Sequence, residues 1–333
     1  MAERQHVREV RGWDVVRLES DTLAVDVVPG KGGDIISIRW KPRDLELMWQ
    51  SPWGLRHRGA SFVPGGTEAT LMDAYPGGWQ TVFPNAGDEV HEHGVLWGFH
   101  GEAWLAAYDY TPTRPAEVTL RTRLVRSPFA IERRIALQDS DLTVTETVRN
   151  EGGVPVEAAW GHHVAFGPPF LDGSCRLDTP GATVVVDDER DVPGSDLVRG
   201  GRFAWPQAKD RAGNPVDLRE VPAADPARPV ERLYYLVDLS AGDVSLTNHR
   251  VGVRARLQWD TSVMPYTWMW YEMHASAGFP WYKSVYVLGV EPHSSYPGQG
   301  LHAIRRKTGT QLRFQPGEAR TATTTLTVST VSG

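Results

Sequence analysis

An all-β chain folded as a large antiparallel β-sandwich is what the sequence predicts, on three observations. Apolar and polar residues alternate with period two through most of the chain, as strands with one buried face require. No segment sustains the i, i+3, i+4, i+7 apolar stripe of an amphipathic helix, and 24 prolines with 33 glycines leave little room for long helices. Without crossover helices, successive strands pair antiparallel, and sheets with one apolar face pack face to face.

Taken in order, the first strands are expected at Val15 to Leu18, Leu23 to Val28 and Ile35 to Trp40, with Pro29-Gly30-Lys31-Gly32-Gly33 as the turn between the last two. Gly77 to Glu102, GGWQTVFPNAGDEVHEHGVLWGFHGE, breaks this rhythm. It carries three histidines (His91, His93, His100), four acids (Asp88, Glu89, Glu92, Glu102) and six glycines. Such a run reads as loops at the lip of a sheet, where rigid strands position reactive side chains. Trp79, Phe83, Trp97 and Phe99 argue against a merely solvated loop. An antiparallel meander follows. Val118, Leu120, Thr122 and Leu124 face one way and Thr119, Arg121 and Arg123 the other, with Ile131 to Leu137 and Leu142 to Val148 within hairpin reach. Later strands are expected at Val156 to Trp160, Thr183 to Val186, Leu233 to Leu239, Val244 to Thr247, Val253 to Trp259, Trp268 to Met273, Val285 to Val290, Gln311 to Phe314 and Thr323 to Val331. Asp187 to Pro229 is polar and long for a connection, and reads as a functional flap or a partly ordered excursion. No linker or repeat divides the rest, so residues 1–333 read as one β-sandwich domain with a long excursion at 187–229.

Hydrophobic residues make up 41% of the chain and charged residues 23%, the balance of a globular protein. A chain of this size can bury about 75% of its unfolded surface and needs no disulfide or metal to fold. The single cysteine, Cys175, excludes an internal disulfide and fits a reducing compartment. With no His or Lys nearby in sequence it reads as a buried structural thiol. No apolar run resembles a signal peptide or reaches the roughly 18 residues of a membrane span, so a cytoplasmic protein without a membrane partner is expected. A net charge of −6 with no Lys/Arg block argues against nucleic acid. A small anionic ligand stays open: Arg56 and Arg58 could take a phosphate or sulfonate, with surface charge as the simpler account.

Two further segments stand out. In Trp160-Gly161-His162-His163-Val164-Ala165-Phe166, adjacent strand residues face opposite sides, so one of the two histidines at most enters a given pocket. In Val287-Leu288-Gly289-Val290-Glu291-Pro292-His293, an apolar strand ends on an acid. A carboxylate there is paired, hydrogen-bonded or catalytic, because an idle one costs several kcal/mol of desolvation. His91-x-His93 resembles the opening of a cupin metal motif, but Gly87 and Glu102 stand at the wrong distances. A site built from His91, His93 and His100 rests on ligand type alone, and no metal is expected. There is no G-x-S-x-G elbow, P-loop or G-x-G-x-x-G after a strand. Acid-base chemistry by one glutamate and one or two histidines remains, with ordinary pKa values of about 4.3 and 6.5 suited to removing one proton and delivering another. The 13 tryptophans and 10 tyrosines point to the substrate. Tyr266, Trp268, Trp270, Tyr271, Trp281, Tyr282 and Tyr286 give a face of rings fit for a pyranose, although most such rings in a large sandwich fill its core.

Together these segments resemble the aldose 1-epimerase (galactose mutarotase-like) family over about Leu23 to Val328. Phe83-Pro84-Asn85 resembles the family's FPN segment, and His100-Gly101 after an aromatic resembles its HG. His163 followed by Ala165 and Phe166 resembles its His-x-Tyr-Phe, and Glu291-Pro292 after an apolar strand its glutamate-proline pair. The resemblance implies a galactose mutarotase-like supersandwich that interconverts the α and β anomers of a free sugar, as monomer or homodimer and without a cofactor. It also implies roles: Glu291 as general base on the anomeric hydroxyl, His163 as the acid that protonates the ring oxygen, and His100 as the group that holds or polarises the substrate. Asn85, Glu102, His162 and Trp270 are expected around the sugar. Glu231, in a Glu231-Arg232-Leu233-Tyr234 segment that resembles the family's hydroxyl-binding Asp segment, is expected there too. Ala86 stands where many members place an arginine, and His91, His93 and Glu102 are extra, which marks an atypical subgroup. Two other functions stay open on the same residues. One is a non-catalytic carbohydrate-binding or sensor protein; the other is a lyase or isomerase in which Glu291 removes a carbon-bound proton.

Overall fold

The computed structural model describes residues 6–60, 65–114, 116–189 and 194–331. Among these, two large antiparallel sheets carry the fold. The larger begins with the hairpin His6–Val10 and Trp13–Glu19 and continues through Leu23–Val28, Asp34–Trp40, Trp79–Val82 and Gly161–Phe166. It then passes through Tyr286–His293, Tyr266–Met273, Val230–Val237 and Thr183–Val186 to the edge strand Arg202–Ala204. The second sheet runs Cys175–Asp178, Asp243–Asn248, Val253–Trp259, Ala319–Thr330, Asp141–Asn150, Phe129–Gln138, Glu117–Arg123 and Asp109–Arg114.

Side-chain alternation explains why the sheets pack. Along Asp141–Asn150, Leu142, Val144 and Val148 are buried between the sheets. The intervening Thr143, Thr145 and Thr147 face Thr325, Thr323 and Thr321 across the ladder, with hydroxyl oxygens 3.2, 3.2 and 2.8 Å apart. Threonine suits this outer face, being β-branched for the pleat and polar for water. In the larger sheet the central strands Gly161–Phe166 and Tyr286–His293 are buried along their whole length. One of their faces meets the second sheet and the other is roofed by loops, so they show no clean alternation.

The expected all-β sandwich is what forms, with local differences that include the unexpected strands His6–Val10, Asp109–Arg114 and Cys175–Asp178. Trp79–Val82, read as loop, is an interior strand of the larger sheet. Its four residues are buried on both faces, which erases the polar alternation that marks a strand in sequence. The rest of that stretch includes a small hairpin, Val90–Glu92 with Val95–Trp97. Two short helices, Thr67–Asp73 and Gly300–Lys307, are too brief to leave a legible stripe. The excursion at 187–229 is tied down in its described part, residues 190–193 lying outside the description. It supplies the edge strand and a hairpin, Gln207–Lys209 with Pro215–Asp217. Asp187 Oδ2 accepts from the Tyr235 hydroxyl at 2.5 Å and from Gln299 Nε2 at 2.9 Å, and Asp196 accepts from the buried Arg232 at 2.7 Å. Cys175 is buried, and burial pushes its thiol up to about 12. Among the described residues no helix is long and apolar enough to cross a membrane.

Candidate active site

Four neighbouring strands of the larger sheet floor a cavity on the side away from the second sheet. Register decides which residues look into it. Glu291 lies opposite Trp268, and Gly289 opposite Trp270, which is in turn opposite Leu233. Cross-strand partners share a face, so Glu291, Trp268, Trp270 and Leu233 all line the cavity. On the other flank of Tyr286–His293, Gly161–Phe166 sends His163 to the same side. His163 Nε2 comes to rest 3.6 Å from Glu291 Oε1. Gly289 makes room for this: a Cβ there would lie 2.6 Å from Glu291 Oε1. The cavity encloses about 690 Å³ including its mouth, within the roughly 300–1,000 Å³ of small-molecule sites.

The roof comes from distant loops. Tyr75 follows the helix Thr67–Asp73 and sets its hydroxyl 3.4 Å from His163 Nδ1. His100 sits in the left-handed region at φ 55°, its N–H donating to Gly87 O at 2.9 Å and its Nδ1 accepting from Gly87 N–H at 3.0 Å. An Nδ1 that accepts assigns the proton of the neutral ring to Nε2. The ring stacks on Trp104 with centroids 5.4 Å apart and lies 6.0 Å from that of His163. Trp281 and Phe99 complete the aromatic wall.

Electrostatically the floor is unusual. Glu291 is 2% exposed, and burial pushes its carboxyl well above the ordinary carboxylate range. Burial also drives the His163 imidazole down to about 3, against a backbone hydrogen bond that favours its charge. Behind them His293 is fully buried, stacked on Trp268 at 3.8 Å and 9°, with Nε2 3.6 Å from Glu291 Oε2. Among the described residues neither of its ring nitrogens has a hydrogen-bond partner. A Cβ on Gly161 would stand 2.2 Å from this ring, so only glycine leaves space for it.

A family model described as Domain of unknown function (DUF4432) matches residues 10–328. The chain belongs to the DUF4432 family. No curated protein matches it in sequence. Solved structures match in shape. One is a galactose mutarotase-like protein from Clostridium acetobutylicum, with TM-score 0.69 and 15% identity over 98% of this chain and 99% of that one. A second is a galactose mutarotase related enzyme from Lactobacillus acidophilus, with TM-score 0.64 and 17% identity over 96% and 98%. A third, a galactose mutarotase-like protein from Lactobacillus casei, has TM-score 0.61 and 15% identity over 95% and 100%. This DUF4432 chain therefore has the galactose mutarotase-like fold that its motifs imply.

Of the residues singled out in this DUF4432 sequence, the cavity gathers Glu291, His163, His100, Glu231 and Trp270. Three others go elsewhere. Asn85 is fully buried as a loop clasp: its amide donates to Asp88 O and Gly98 O, and its carbonyl accepts from Leu301 N–H at 2.9 Å. Glu102 holds a turn, accepting from the backbone of Val125 and Arg126 and from the Ser127 hydroxyl at 2.8 Å. His162 points between the sheets, where its Nε2 lies 2.9 Å from Glu146. Glu146 also meets Trp160 Nε1 at 3.1 Å, Arg133 Nε at 3.3 Å and the Thr81 hydroxyl. Burial opposes its charge, but His162, Arg133 and these hydrogen bonds hold it at about 2. His91 is exposed on its hairpin, and no three His, Cys, Asp or Glu among the described residues form a metal-holding group, so His91, His93 and His100 do not assemble. Neither Arg56 nor Arg58 lines the cavity; Arg58 lies over the Trp13 ring. Sequence reasoning missed Tyr75, Trp104 and His293. Only His293 had a signal, being two residues after Glu291 and therefore on its face.

Proposed function

We propose that the protein is an aldose 1-epimerase that interconverts the α and β anomers of a free sugar through ring opening. The observation that carries this reading is the Glu291–His163 pair, 3.6 Å apart at the floor of a ring-lined cavity. Among the described residues the Glu291 carboxyl makes no hydrogen bond, and the imidazoles of His163 and His293 are its titratable neighbours. Burying a carboxyl with so little support is costly, and such groups concentrate where chemistry uses them.

Both groups resist charge, so the pair holds one proton between them. Passing that proton from Glu291 to His163 creates a base and an acid without changing the net charge. Glu291 then takes the proton of the anomeric hydroxyl while His163 protonates the ring oxygen. The C1–O5 bond breaks, the anomeric C–O becomes an aldehyde, and rotation about C1–C2 turns its other face to the hydroxyl. Closure reverses both transfers and restores the pair. The Nε2–H of His100 suits a donor that polarises a sugar oxygen, and the tryptophan faces suit the apolar face of a pyranose.

Anomeric exchange followed by NMR across free hexoses, pentoses and sugar acids tests the reading. Acceleration on one of them, lost by about 10²- to 10⁴-fold in Glu291→Gln, is expected. Saturable binding with no acceleration on any sugar would assign the cavity to a carbohydrate-binding protein instead. The singly protonated pair also predicts a broad plateau in rate. It is bounded on the acid side near pH 3, where His163 takes a second proton, and on the alkaline side by the raised ionisation of Glu291.

A further inference from the structure

We infer that His293 is a positioning residue of the proposed reaction: its Nε2–H, aimed at Oε2 of Glu291 from behind the cavity, keeps the reacting proton on Oε1 and steadies the carboxylate that forms when this proton leaves. The inference rests on the proposed epimerase reading for the reaction it serves. The contact itself belongs to the resting protein and is measurable without a sugar.

His293 is fully buried, yet among the described residues neither of its ring nitrogens has a hydrogen-bond partner. His162, equally buried, has its Nε2 2.9 Å from Glu146. A buried imidazole without partners destabilises a fold, since water satisfies both nitrogens in the unfolded chain. Packing does not call for one. The ring lies flat on Trp268, with centroids 3.8 Å and planes 9° apart, an arrangement open to a phenyl ring that has no polar atoms to bury. The neighbouring strand carries glycine at Gly161, opposite His293, where any Cβ would collide with this ring. An unsatisfied group accommodated so closely beside a raised carboxyl points to use.

Geometry indicates which use. Strand alternation puts Glu291 and His293, two residues apart, on one face. Glu291 then presents its two oxygens to two imidazoles, Oε1 to His163 Nε2 and Oε2 to His293 Nε2, each at 3.6 Å. His163 lines the cavity and His293 does not, so one end of the carboxyl meets the substrate and the other meets protein. Burial disfavours charge on all three groups, which keeps Glu291 protonated and both imidazoles neutral. A neutral imidazole has one N–H. With that N–H on Nε2, His293 donates to the carbonyl oxygen Oε2, and the acidic proton is left on Oε1, facing the His163 nitrogen that receives it. Loss of the proton turns Oε2 into a carboxylate oxygen, and a hydrogen bond to an ionised acceptor is shorter and stronger. The separation then closes towards hydrogen-bond length, as such contacts do when a reaction charges them. His293 itself neither gains nor loses a proton.

Infrared spectroscopy of the full chain without sugar reads the contact, the Glu291 carbonyl band being identified by its absence in Glu291→Gln. A carbonyl oxygen that accepts a hydrogen bond absorbs at lower frequency than one that does not. His293→Phe keeps the stack and removes the donor, so the band should move to higher frequency while Tm stays level or rises. In the same variant kcat for anomeric exchange should fall about 10- to 100-fold with KM within about twofold, because His293 does not touch the substrate. His293→Gln places an amide N–H near the position of Nε2 and should return the band and bring kcat to within about threefold of wild type. Should His293→Phe not fold, His293→Asn, whose amide stops short of Oε2, should show the same band shift and loss of kcat. A band that stays in place, a fall in Tm with kcat retained, or a Gln variant that matches the Phe variant would overturn the inference. Exchange on free sugars separates the two claims. A band shift with no exchange on any sugar removes the epimerase and keeps the His293 contact; exchange lost in Glu291→Gln but untouched in His293→Phe keeps the epimerase and removes His293 from it.

Discussion

His162 and His163 are consecutive residues of one strand, and each faces a buried glutamate. The resemblance ends there. On the inner face, Glu146 meets His162, Arg133, Trp160 and Thr81, and its carboxyl is held at about 2. On the outer face, Glu291 has two imidazoles at 3.6 Å, no side-chain hydrogen bond among the described residues, and a carboxyl pushed well above its ordinary range. Both acids are buried, so burial alone does not distinguish structure from chemistry. What distinguishes them is whether the surroundings satisfy the charge: Glu146 is a tie between two sheets, and Glu291, the proton carrier of the proposed reaction, sits beside a hollow with its carboxyl held well above the ordinary range.

Substitutions can break this contrast. The largest effect expected is on rate: Glu291→Gln should lower anomeric exchange by about 10²- to 10⁴-fold while leaving the circular dichroism spectrum intact. A variant that keeps its rate would place the chemistry elsewhere. Glu146→Gln should act on stability instead. It strands the buried Arg133 guanidinium without its counter-charge, and urea denaturation should register a loss of about 3–5 kcal/mol. A loss under 1 kcal/mol would mean that the inner pair is not a tie.

The pH dependence of stability should have opposite signs at the two sites. Glu146 has a folded pKa of about 2, below its unfolded value. Its contribution is therefore present above pH 4.5 and lost as pH falls towards 2, about 3 kcal/mol in all. Glu291 is raised, so the wild type should lose stability relative to Glu291→Gln as pH rises above 4.5. Thermal melts of wild type, Glu146→Gln and Glu291→Gln from pH 3 to 9 check both signs, and parallel curves would refute them. The smallest effect expected is that of Gly289→Ala. Its Cβ would displace the Glu291 carboxylate, a movable side-chain end, so kcat should fall about tenfold with Tm nearly unchanged. A fall in Tm with kcat preserved would show that Gly289 serves packing only.

Much of the fold was legible because strand period is a local property. The meander from Val118 to Val148 appears where alternation placed it, whereas Trp79–Val82 was missed because both of its faces are covered. The site was legible in part. His163 and Glu291 stood out as polar residues on strands that are otherwise apolar. Asn85 and Glu102 were of the right chemical type, but backbone groups claim their side chains, in one case a donor 216 residues away. No pattern within a single segment announces such a partner. Tyr75 and Trp104 carried no signal, since a loop has no period from which to read a direction.

By itself the sequence determined that His162 and His163 point to opposite faces, and that Gly289, Glu291 and His293 share one, because a strand alternates whatever surrounds it. Which of those faces became the cavity was decided only in three dimensions. Both sides of the central strands are covered by protein, and the residues that make one side hollow arrive from Tyr75, His100 and Trp281 on segments far apart in the chain.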